Sequence, residues 1–357
     1  MKPTTLARIE RRLRYLATRL LPPRTVVSVY SRGRVKFLED LEKDPPKEAY
    51  APPQGLGREL WGIKFRSPIM NAAGMFKNGE HYKTMALQGA GGYLGGTGTF
   101  NPREGNKKDG IHLAFAPYPR SHASSNWLGL PNDGDLENSK RVSDIDRRVD
   151  FPIGWSVMGS PDFQDDEKLA KLVESMELYD MAGIDFLEVN LSCPNTKHGP
   201  PNYSLLVHTL RYISEHFLKI RTHKLPVVAK LSNDTDIEQI PQILDLLFDF
   251  GFDGVNLGNT STDYKRCREY IHPAERRLFD FFTRTFGGGY GGRGLKEPSL
   301  ELAGRAVEYT KQGPPSQEFH VIRTGGIETA QDIRDSDAAG ISMNQWFNGY
   351  WEGFGKH

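Results

Sequence analysis

The chain has 357 residues, two cysteines and a formal net charge of +1. Its length suits one α/β barrel with additions, since such barrels often reach about 250 residues or more as one domain. Two cysteines, Cys193 and Cys267, exclude a disulfide framework and a four-thiolate metal site, and they favour a reducing compartment. No apolar run approaches the roughly 20 residues of a membrane span and no signal peptide is visible, so we expect a cytoplasmic protein.

The positive charge is concentrated at the N-terminus. Residues 1–36 carry ten Lys or Arg and one acid, a net charge of +9, so the remainder carries −8. Apolar residues recur here at intervals of three and four: Leu6, Ile9, Leu13, Leu16 and Leu20. The basic residues Arg8, Arg11, Arg12 and Arg19 fall on the opposite face, and Pro22-Pro23 ends the pattern. The pattern predicts a basic amphipathic helix within a helical extension over residues 1–42.

Three interpretations of this extension remain open. It is a peripheral membrane contact through residues 1–36, an RNA contact, or a helix that packs on its own domain. Because the rest of the chain is acidic, we expect no nucleic-acid partner. Residues 43–57 are rich in Pro and Gly and are predicted to be a linker.

Short apolar or β-rich segments alternate with helical patterns over residues 58–357. The eight segments are residues 68–71, 92–95, 153–157, 186–189, 226–230, 254–257, 319–323 and 341–345. The clearest helical patterns are at 169–181 and 240–250. Alternating strands and helices predict a parallel sheet, and eight units predict a (β/α)8 TIM barrel. The stretch 264–295 is too long for a simple loop and is expected to cross the active face.

One segment combines a thiol with two amides after a predicted strand. It reads Glu188-Val-Asn-Leu-Ser-Cys-Pro-Asn-Thr196, which places Asn190 and Asn195 around Cys193. Amides can hydrogen-bond a planar ring through donors and acceptors, and a thiol can take or give a proton. The alternative is a buried cysteine in an ordinary strand-to-helix turn.

Glycines and a lysine mark the ends of other predicted strands. Thr324-Gly-Gly-Ile327 follows the seventh and Asn348-Gly349 the eighth, where barrels commonly bind a phosphate. Lys230 ends the fifth, and a buried lysine needs an anionic partner. A reduced flavin would supply one, and so would a barrel acid. There is no His/Glu cluster with metal-ligand spacing, so no metal site is expected.

These motifs together resemble the dihydroorotate dehydrogenase family. The resemblance runs from about residue 57 to 353, with the motifs in family order. They are Asn71-Ala-Ala-Gly-Met-Phe-Lys-Asn-Gly79, Gly96-Thr-Gly-Thr99, Arg103-Glu-Gly-Asn106, Asn126-Trp-Leu-Gly-Leu-Pro-Asn132, Asn190-Leu-Ser-Cys-Pro-Asn-Thr196, Lys230, Asn259-Thr260, Gly291-Gly-Arg293 and Thr324-Gly-Gly-Ile327. The resemblance implies an FMN-containing barrel that oxidises dihydroorotate to orotate in pyrimidine biosynthesis.

The resemblance also implies roles for individual residues. Cys193 would be the catalytic base. The substrate would be held by Lys77, Asn126, Gly129, Leu130, Asn132, Asn190, Asn195, Asn259 and Thr260. The FMN would be held by Ala72, Ala73, Gly74, Thr97, Ser156, Asn190, Lys230, Gly292, Gly325, Gly326, Phe347 and Asn348. Phe347 and Ser156 depart from the family pattern, where Tyr and Asn are frequent, so the FMN contacts at these two positions would be lost or rebuilt.

The electron acceptor is implied less directly. Cys193 is similar to the base of the soluble, fumarate-type members, whereas Lys77 and the basic N-terminus resemble the quinone-reducing members. We expect a quinone, with fumarate as the alternative. Related FMN barrels that act on dihydropyrimidines or on tRNA dihydrouridine, and a non-catalytic binding barrel, are the other hypotheses.

Overall fold

The computed structural model describes residues 2–47, 49–52, 54–192, 203–313 and 315–354. The helices are α1 Pro3–Leu20, α2 Pro23–Lys43, α3 Tyr82–Leu87, α4 Asp135–Ser143, α5 Asp165–Met181, α6 Tyr203–Ile213, α7 Ile240–Asp249, α8 Tyr264–Glu269, α9 Arg276–Thr285, α10 Lys296–Gln312, α11 Ala330–Ala338 and α12 Asn348–Gly353. The strands are β1 Arg58–Leu60, β2 Ile63–Phe65, β3 Ile69–Asn71, β4 Tyr93–Gly98, β5 Lys107–Lys108, β6 Ile111–His112, β7 Ala114–Tyr118, β8 Ala123–Trp127, β9 Ile153–Val157, β10 Phe186–Asn190, β11 Val227–Leu231, β12 Gly254–Leu257, β13 Gly289–Gly292, β14 His320–Thr324 and β15 Met343–Trp346.

Eight strands of the described chain form one parallel sheet. Their order is β3-β15-β14-β12-β11-β10-β9-β4, and the helices that connect them surround the sheet. Each of the eight predicted segments overlaps one of these strands. The predicted (β/α)8 TIM barrel is therefore confirmed.

The barrel closes between its first and second strands through the Asn71 side chain and two flanking backbone hydrogen bonds, one of them from the N–H of Gly91 to the carbonyl of Ile69 at 2.7 Å. The Asn71 amide donates to the carbonyl of Leu94 at 2.6 Å and accepts from its N–H at 3.2 Å. The N–H of Gly74 donates to the carbonyl of Gly96 at 2.6 Å. An amide side chain has both a donor and an acceptor, so Asn71 can replace a ladder pair where the two backbones do not pair directly.

The interior of the barrel has an apolar lower layer. Val228, Ile322 and Met343 pack there with Phe186, whose ring fills the space that a side chain on Gly154 would need. The β1–β2 hairpin covers this end of the barrel, and its Trp61 ring lies 6.2 Å from that of Phe186. Because this end is filled and covered, a ligand site has to lie at the opposite end, where the strands finish.

A three-stranded antiparallel sheet stands over that opposite end. It has the order β13-β8-β7, so it joins residues 289–292 to a hairpin at residues 114–127. The predicted excursion at 264–295 supplies α8, α9 and β13. Helix α2 packs on this sheet through Val26 and Val27, and Ser31 accepts the N–H of Phe115 at 3.0 Å.

Helix α1 packs inward through Arg11, Arg14 and Thr18, whereas Arg8, Arg12 and Arg19 are exposed. Arg14 is 8% exposed and binds Glu352 of α12 through two hydrogen bonds of 2.9 and 2.6 Å. Arg11 donates to the carbonyl of Phe354 at 2.5 Å, and Tyr30 of α2 donates to Glu10 at 2.9 Å. The predicted apolar stripe consequently faces outward. The division into an extension over 1–42, a linker and a barrel remains a prediction.

The exposed stripe consists of large aliphatic side chains. Ile9, Leu13, Leu16 and Leu20 are 42%, 54%, 55% and 72% exposed. Among the described residues no helix is long and apolar enough to cross a membrane. Packing on the chain's own barrel therefore explains the polar side of α1, and it leaves the apolar side without a covering partner in the described chain.

Candidate active site

One cavity lies at the end of the barrel where the strands finish, beneath the three-stranded sheet. Its empty volume is about 1010 Å³, open solvent at the mouth included. Strand ends and loops of the barrel line one side. The β8 and β13 strands line the other with Ser124, Asn126, Gly291 and Gly292. A cavity of this kind, concave and with a few convergent polar groups, is the usual form of a cofactor site.

The floor of the cavity is a buried ionic and amide network. The Lys230 ammonium lies 3.0 Å from Glu188, and the two side chains are 3% and 1% exposed. Glu188 also accepts hydrogen bonds from Asn256 at 2.7 Å and Gln345 at 2.8 Å. The Thr324 hydroxyl lies 2.9 Å from the amide oxygen of Asn256 and 2.9 Å from that of Gln345, and it can donate to either one. Lys230 therefore has its barrel acid and also lines the cavity, and its contact with a flavin remains a prediction.

Inward-facing strand positions explain how this network forms. Side chains alternate along a strand, so Glu188 and Asn190 of β10 both point into the barrel above Phe186. The register pairs Asn190 with Lys230 of β11. A polar upper layer of the barrel therefore rests on the apolar lower layer and forms the base of the cavity.

An arc of amides and hydroxyls runs along one wall. The Asn190 side chain donates to Thr97 at 3.3 Å and accepts from Asn259 at 3.3 Å. Asn259 in turn accepts the N–H of Thr260 at 2.8 Å. Ser156 lies 3.1 Å from Thr97 but is fully buried. These groups fix one another, so their remaining donors and acceptors are presented to the cavity in a set orientation.

A glycine loop forms the opposite end of the cavity. Gly326 has φ +67°, and a side chain there would meet the backbone of Lys296 at 2.5 Å. Among the described residues, the N–H groups of Gly325, Gly326 and Ile327 donate no backbone or side-chain hydrogen bond. Asn348 joins this end to the upper sheet by donating to Ser124 at 2.9 Å. Unused N–H groups on a glycine loop are a typical phosphate site.

Lys77 lies on a loop that is stabilised by hydrogen bonds to Glu80, a residue of the same loop. The Glu80 carboxylate accepts the N–H groups of Lys77 at 3.0 Å and Asn78 at 2.6 Å. The Tyr93 hydroxyl donates to the carbonyl of Glu80 at 2.7 Å. A Cβ on Gly74 would lie 3.6 Å from the Lys77 ammonium, which therefore sits above the first strand end. Lys77 thus adds a cation to the lining of the cavity.

Most residues predicted for the site line this one cavity. They are Ala72, Ala73, Gly74, Lys77, Thr97, Asn126, Leu130, Asn190, Lys230, Asn259, Thr260, Gly292, Gly325, Gly326, Phe347 and Asn348. Cys193 and Asn195 lie outside the described residues. Their predicted roles therefore remain predictions.

Three predicted residues lie behind the wall. The Asn132 side-chain NH2 group donates to the Thr99 hydroxyl and to the carbonyl of Leu130, and its amide oxygen accepts the N–H of Gly134 at 2.9 Å. A Cβ on Gly129 would lie 2.3 Å from the amide oxygen of Asn106, so the Asn106 side chain covers this glycine. Ser156 reaches the cavity only through Thr97. In this structure Asn132 contacts the lining residue Leu130 and Ser156 contacts the lining residue Thr97, and direct ligand contact by the three stays a prediction.

Sequence reasoning missed several groups that line or support the cavity. Ser124, Gln345 and Glu328 were not expected in the lining, and Glu188 was not expected beneath it. Glu188 lies two residues before Asn190, so the alternation of side chains along a strand predicts that both face inward. An acid inside an apolar strand also needs a partner, so this position could have been predicted. Ser124 gave no signal because it lies in a hairpin that no motif predicted.

The residues present fit a flavin. The glycine loop offers free N–H groups for a phosphate, and small residues Ala72, Ala73 and Gly74 leave space beside the first strand for a flat ring system. Lys230 supplies a buried cation at the floor. A ring with polar edges and an anionic tail matches this arrangement of charge and space.

Comparison with known proteins assigns the fold to a family. The sequence model of the family described as dihydroorotate dehydrogenase matches residues 55–354. The chain belongs to the dihydroorotate dehydrogenase family. This family consists of flavin-dependent oxidoreductases.

Curated relatives carry the same family name, and a solved structure has the same fold. The chain is 27% identical over 298 residues to the dihydroorotate dehydrogenase (quinone) of Trichodesmium erythraeum, which covers 82% of this chain and 74% of the relative. It is 28% identical over 300 residues to that of Aliivibrio fischeri, which covers 82% of each. A crystal structure of ligand-free DHODH from Eimeria tenella matches its fold with a TM-score of 0.74 at 22% identity, over 91% of this chain and 90% of the other.

Proposed function

We propose that this chain is an FMN-dependent dihydroorotate dehydrogenase, which oxidises dihydroorotate to orotate in pyrimidine biosynthesis. One observation carries the proposal: a cation, Lys77, and three amides, Asn126, Asn190 and Asn259, line the same cavity as the glycine loop. Orotate is a planar ring with amide edges and one carboxylate, so it needs this combination of groups. The names of the curated relatives support the same activity.

FMN is the proposed form of the flavin. Gly325 and Gly326 would hold its phosphate, and Lys230 would lie against its ring with Glu188 holding the lysine in place. Bound FMN would accept the hydride from C6 of dihydroorotate. The peripheral placement of Ser156 implies that Thr97, and not Ser156, makes the contact on that side.

The chain's own residues would handle the substrate and its proton. Cys193 would remove the proton from C5, with Asn190 and Asn195 beside it. Lys77 would pair with the carboxylate, because an ammonium and a carboxylate form a charge-assisted hydrogen bond. Asn126, Asn259 and Thr260 would meet the amide edges of the ring.

Replacing Lys77 by alanine should weaken orotate binding without loss of flavin. A hydrogen bond to a charged group contributes about 1.5–3 kcal/mol, so we expect a loss of roughly tenfold to a hundredfold in affinity. Orotate titration of the yellow protein, followed by the flavin spectrum, measures this. Lys83→Ala is the matched control, since Lys83 lies on the following helix with its side chain 77% exposed. Equal orotate affinity in both variants would place Lys77 outside the substrate site.

A quinone is the proposed electron acceptor. A second cavity, of about 840 Å³ with open solvent included, lies between the first turn of α1 and α12, and Glu328 and Gly349 line both this cavity and the one proposed for the flavin. Aromatic residues Trp346, Tyr350 and Phe354 line it. The Trp346 indole N–H and the Tyr350 hydroxyl have no hydrogen-bond partner among the described residues. An apolar ring with carbonyl groups suits such a lining.

We propose that α1 brings the protein to a membrane surface, as a peripheral contact of an otherwise cytoplasmic protein. The polar face of α1 is occupied by Glu352 and the carbonyl of Phe354, and the leucines face outward. Such a helix lies in the plane of a lipid interface with its apolar face buried. Exposed Arg12 and Arg19 on the same helix would add attraction to anionic lipids.

Two charges in the stripe should abolish this association. The double variant Leu13→Glu, Leu16→Glu should lose binding to anionic vesicles, measured by co-sedimentation, and keep dihydroorotate oxidation with a soluble dye. Wild-type binding should weaken with salt, since the Debye length falls from about 30 Å at 0.01 M to roughly 8 Å at 0.15 M. Leu136→Glu, an exposed leucine on α4, is the control. Wild-type protein that ignores anionic vesicles at low salt would contradict the proposal.

Substrate and acceptor preference test the proposed function as a whole. Purified protein should oxidise dihydroorotate and should not oxidise dihydrouracil, which lacks the carboxylate that Lys77 would bind. Among quinone, fumarate and NAD as acceptors, the quinone should react fastest. Faster turnover of dihydrouracil would assign the enzyme to dihydropyrimidines, and faster reduction of fumarate would assign it to the soluble type.

A further inference from the structure

A buried arginine stands directly behind the glycine loop. Arg323 of β14 is fully buried, and its side chain lies between α10 and α11. Its guanidinium donates to the carbonyl of Lys296 at 2.7 Å, to Ser299 at 2.9 Å and to Ser336 at 2.8 Å. A weaker bond of 3.3 Å reaches the carbonyl of Asp332. All of these acceptors are neutral.

Nearby carboxylates compensate this charge only in part. The Asp332 carboxylate acts on Arg323, but it is paired with the Lys296 ammonium at 2.8 Å and accepts the N–H groups of Glu328 and Thr329. Burial lowers the pKa of Arg323 to about 10, although Asp332 and Asp335 oppose the shift. A buried cation without a bound anion is unfavourable. Arg323 therefore makes no direct ion pair in the described chain, and it shares the nearby carboxylates with Lys296.

A chain of hydrogen bonds connects this charge to the loop. Arg323 donates to the Ser299 hydroxyl at 2.9 Å, and that hydroxyl donates to the carbonyl of Gly325 at 2.8 Å. A Cβ on Gly325 would lie 3.0 Å from that of Ser299, so the loop rests on this serine. The N–H groups of Gly325 and Gly326 point to no partner in the described chain. The arginine thus orients the loop and places a charge behind it.

We propose that Arg323 is a positioning residue for the phosphate of the flavin: through Ser299 it sets the Gly325–Gly326 loop, and its charge makes the loop selective for a phosphorylated flavin. The inference rests on the proposed use of FMN. A phosphate in front of the loop would supply the anion that the buried guanidinium lacks. Riboflavin, which has the same ring and no phosphate, would not.

The ratio of FMN affinity to riboflavin affinity tests the proposal. Full-length protein is freed of flavin, and binding of each compound is followed by quenching of flavin fluorescence. Arg323→Met should weaken FMN binding by roughly tenfold, equivalent to about 1.4 kcal/mol, and leave riboflavin within about twofold. Arg323→Lys should restore most of the ratio, because it restores the charge. Arg323→Gln keeps donors for Ser299 without the charge, and it replaces the Met variant if that variant does not fold.

The control is Arg221→Met, an arginine with its side chain 12% exposed at the far end of the barrel, where it pairs with Asp253. This change should leave the ratio at its wild-type value. A wild-type ratio in Arg323→Met or Arg323→Gln would overturn the role of Arg323. Wild-type protein that binds neither compound would instead overturn the proposed cofactor.

Discussion

Cys193→Ala should keep its flavin and lose flavin reduction by dihydroorotate by a factor of about 10² or more, the usual contribution of a general base. A free thiol has a pKa of roughly 8.5, so a modest shift near a cation makes it a useful base at neutral pH. Serine has a much higher pKa, and Cys193→Ser should therefore be slow and partly rescued at high pH. Rapid mixing with dihydroorotate under anaerobic conditions measures the step.

The other cysteine is a control for this experiment. Cys267 is 1% exposed on α8, where its thiol lies 3.3 Å from the Ser261 hydroxyl. Burial raises the pKa of this thiol to about 11, so it remains protonated at neutral pH. In the Cys267→Ala variant, dihydroorotate should reduce the flavin at the wild-type rate. Wild-type reduction by Cys193→Ala would remove that thiol from the mechanism.

Glu188→Ala should destabilise the protein by about 3–5 kcal/mol, because it leaves the Lys230 ammonium buried without its anion. The variant also deprives Asn256 and Gln345 of the acceptor that they share. Urea unfolding of flavin-free protein measures the loss. The double variant Glu188→Leu, Lys230→Met should regain much of the stability and still fail to bind FMN well, since the pair is replaced but the cation is gone.

A surface ion pair provides the comparison. Lys36 and Asp40 lie 2.7 Å apart on α2, with side chains 63% and 31% exposed. Exposed pairs contribute about 0–1 kcal/mol, so Lys36→Ala should unfold close to wild type. If the free energy of unfolding of Glu188→Ala equals that of Lys36→Ala, the buried pair does not stabilise the floor of the cavity.

The barrel was predictable because its strands alternate with helices at regular spacing. Strand ends carry the chemistry in such barrels, so motifs at Asn71, Lys230 and Gly325 could be assigned to one face without a structure. The three-stranded sheet over that face was not predicted. Its strands are short, and β13 at residues 289–292 lies far along the chain from the hairpin at residues 114–127. No local pattern therefore indicates that they share a sheet.

Side-chain orientation was the other limit. A helical stripe of leucines normally faces a protein core, yet in α1 the bidentate Arg14–Glu352 contact directs the arginine inward and the leucines outward. Arg323 gives the same lesson, because a strand pattern cannot tell whether an arginine at its end reaches solvent or a helix backbone. Contacts between residues distant in sequence decide both cases.

Anaerobic addition of dihydroorotate to the purified protein tests the central claim most directly. The account predicts a protein with bound FMN whose flavin absorbance is bleached by dihydroorotate, is unaffected by dihydrouracil, and returns when a quinone is added. Folded protein that takes up no FMN, or whose bound flavin stays oxidised in excess dihydroorotate, would contradict it.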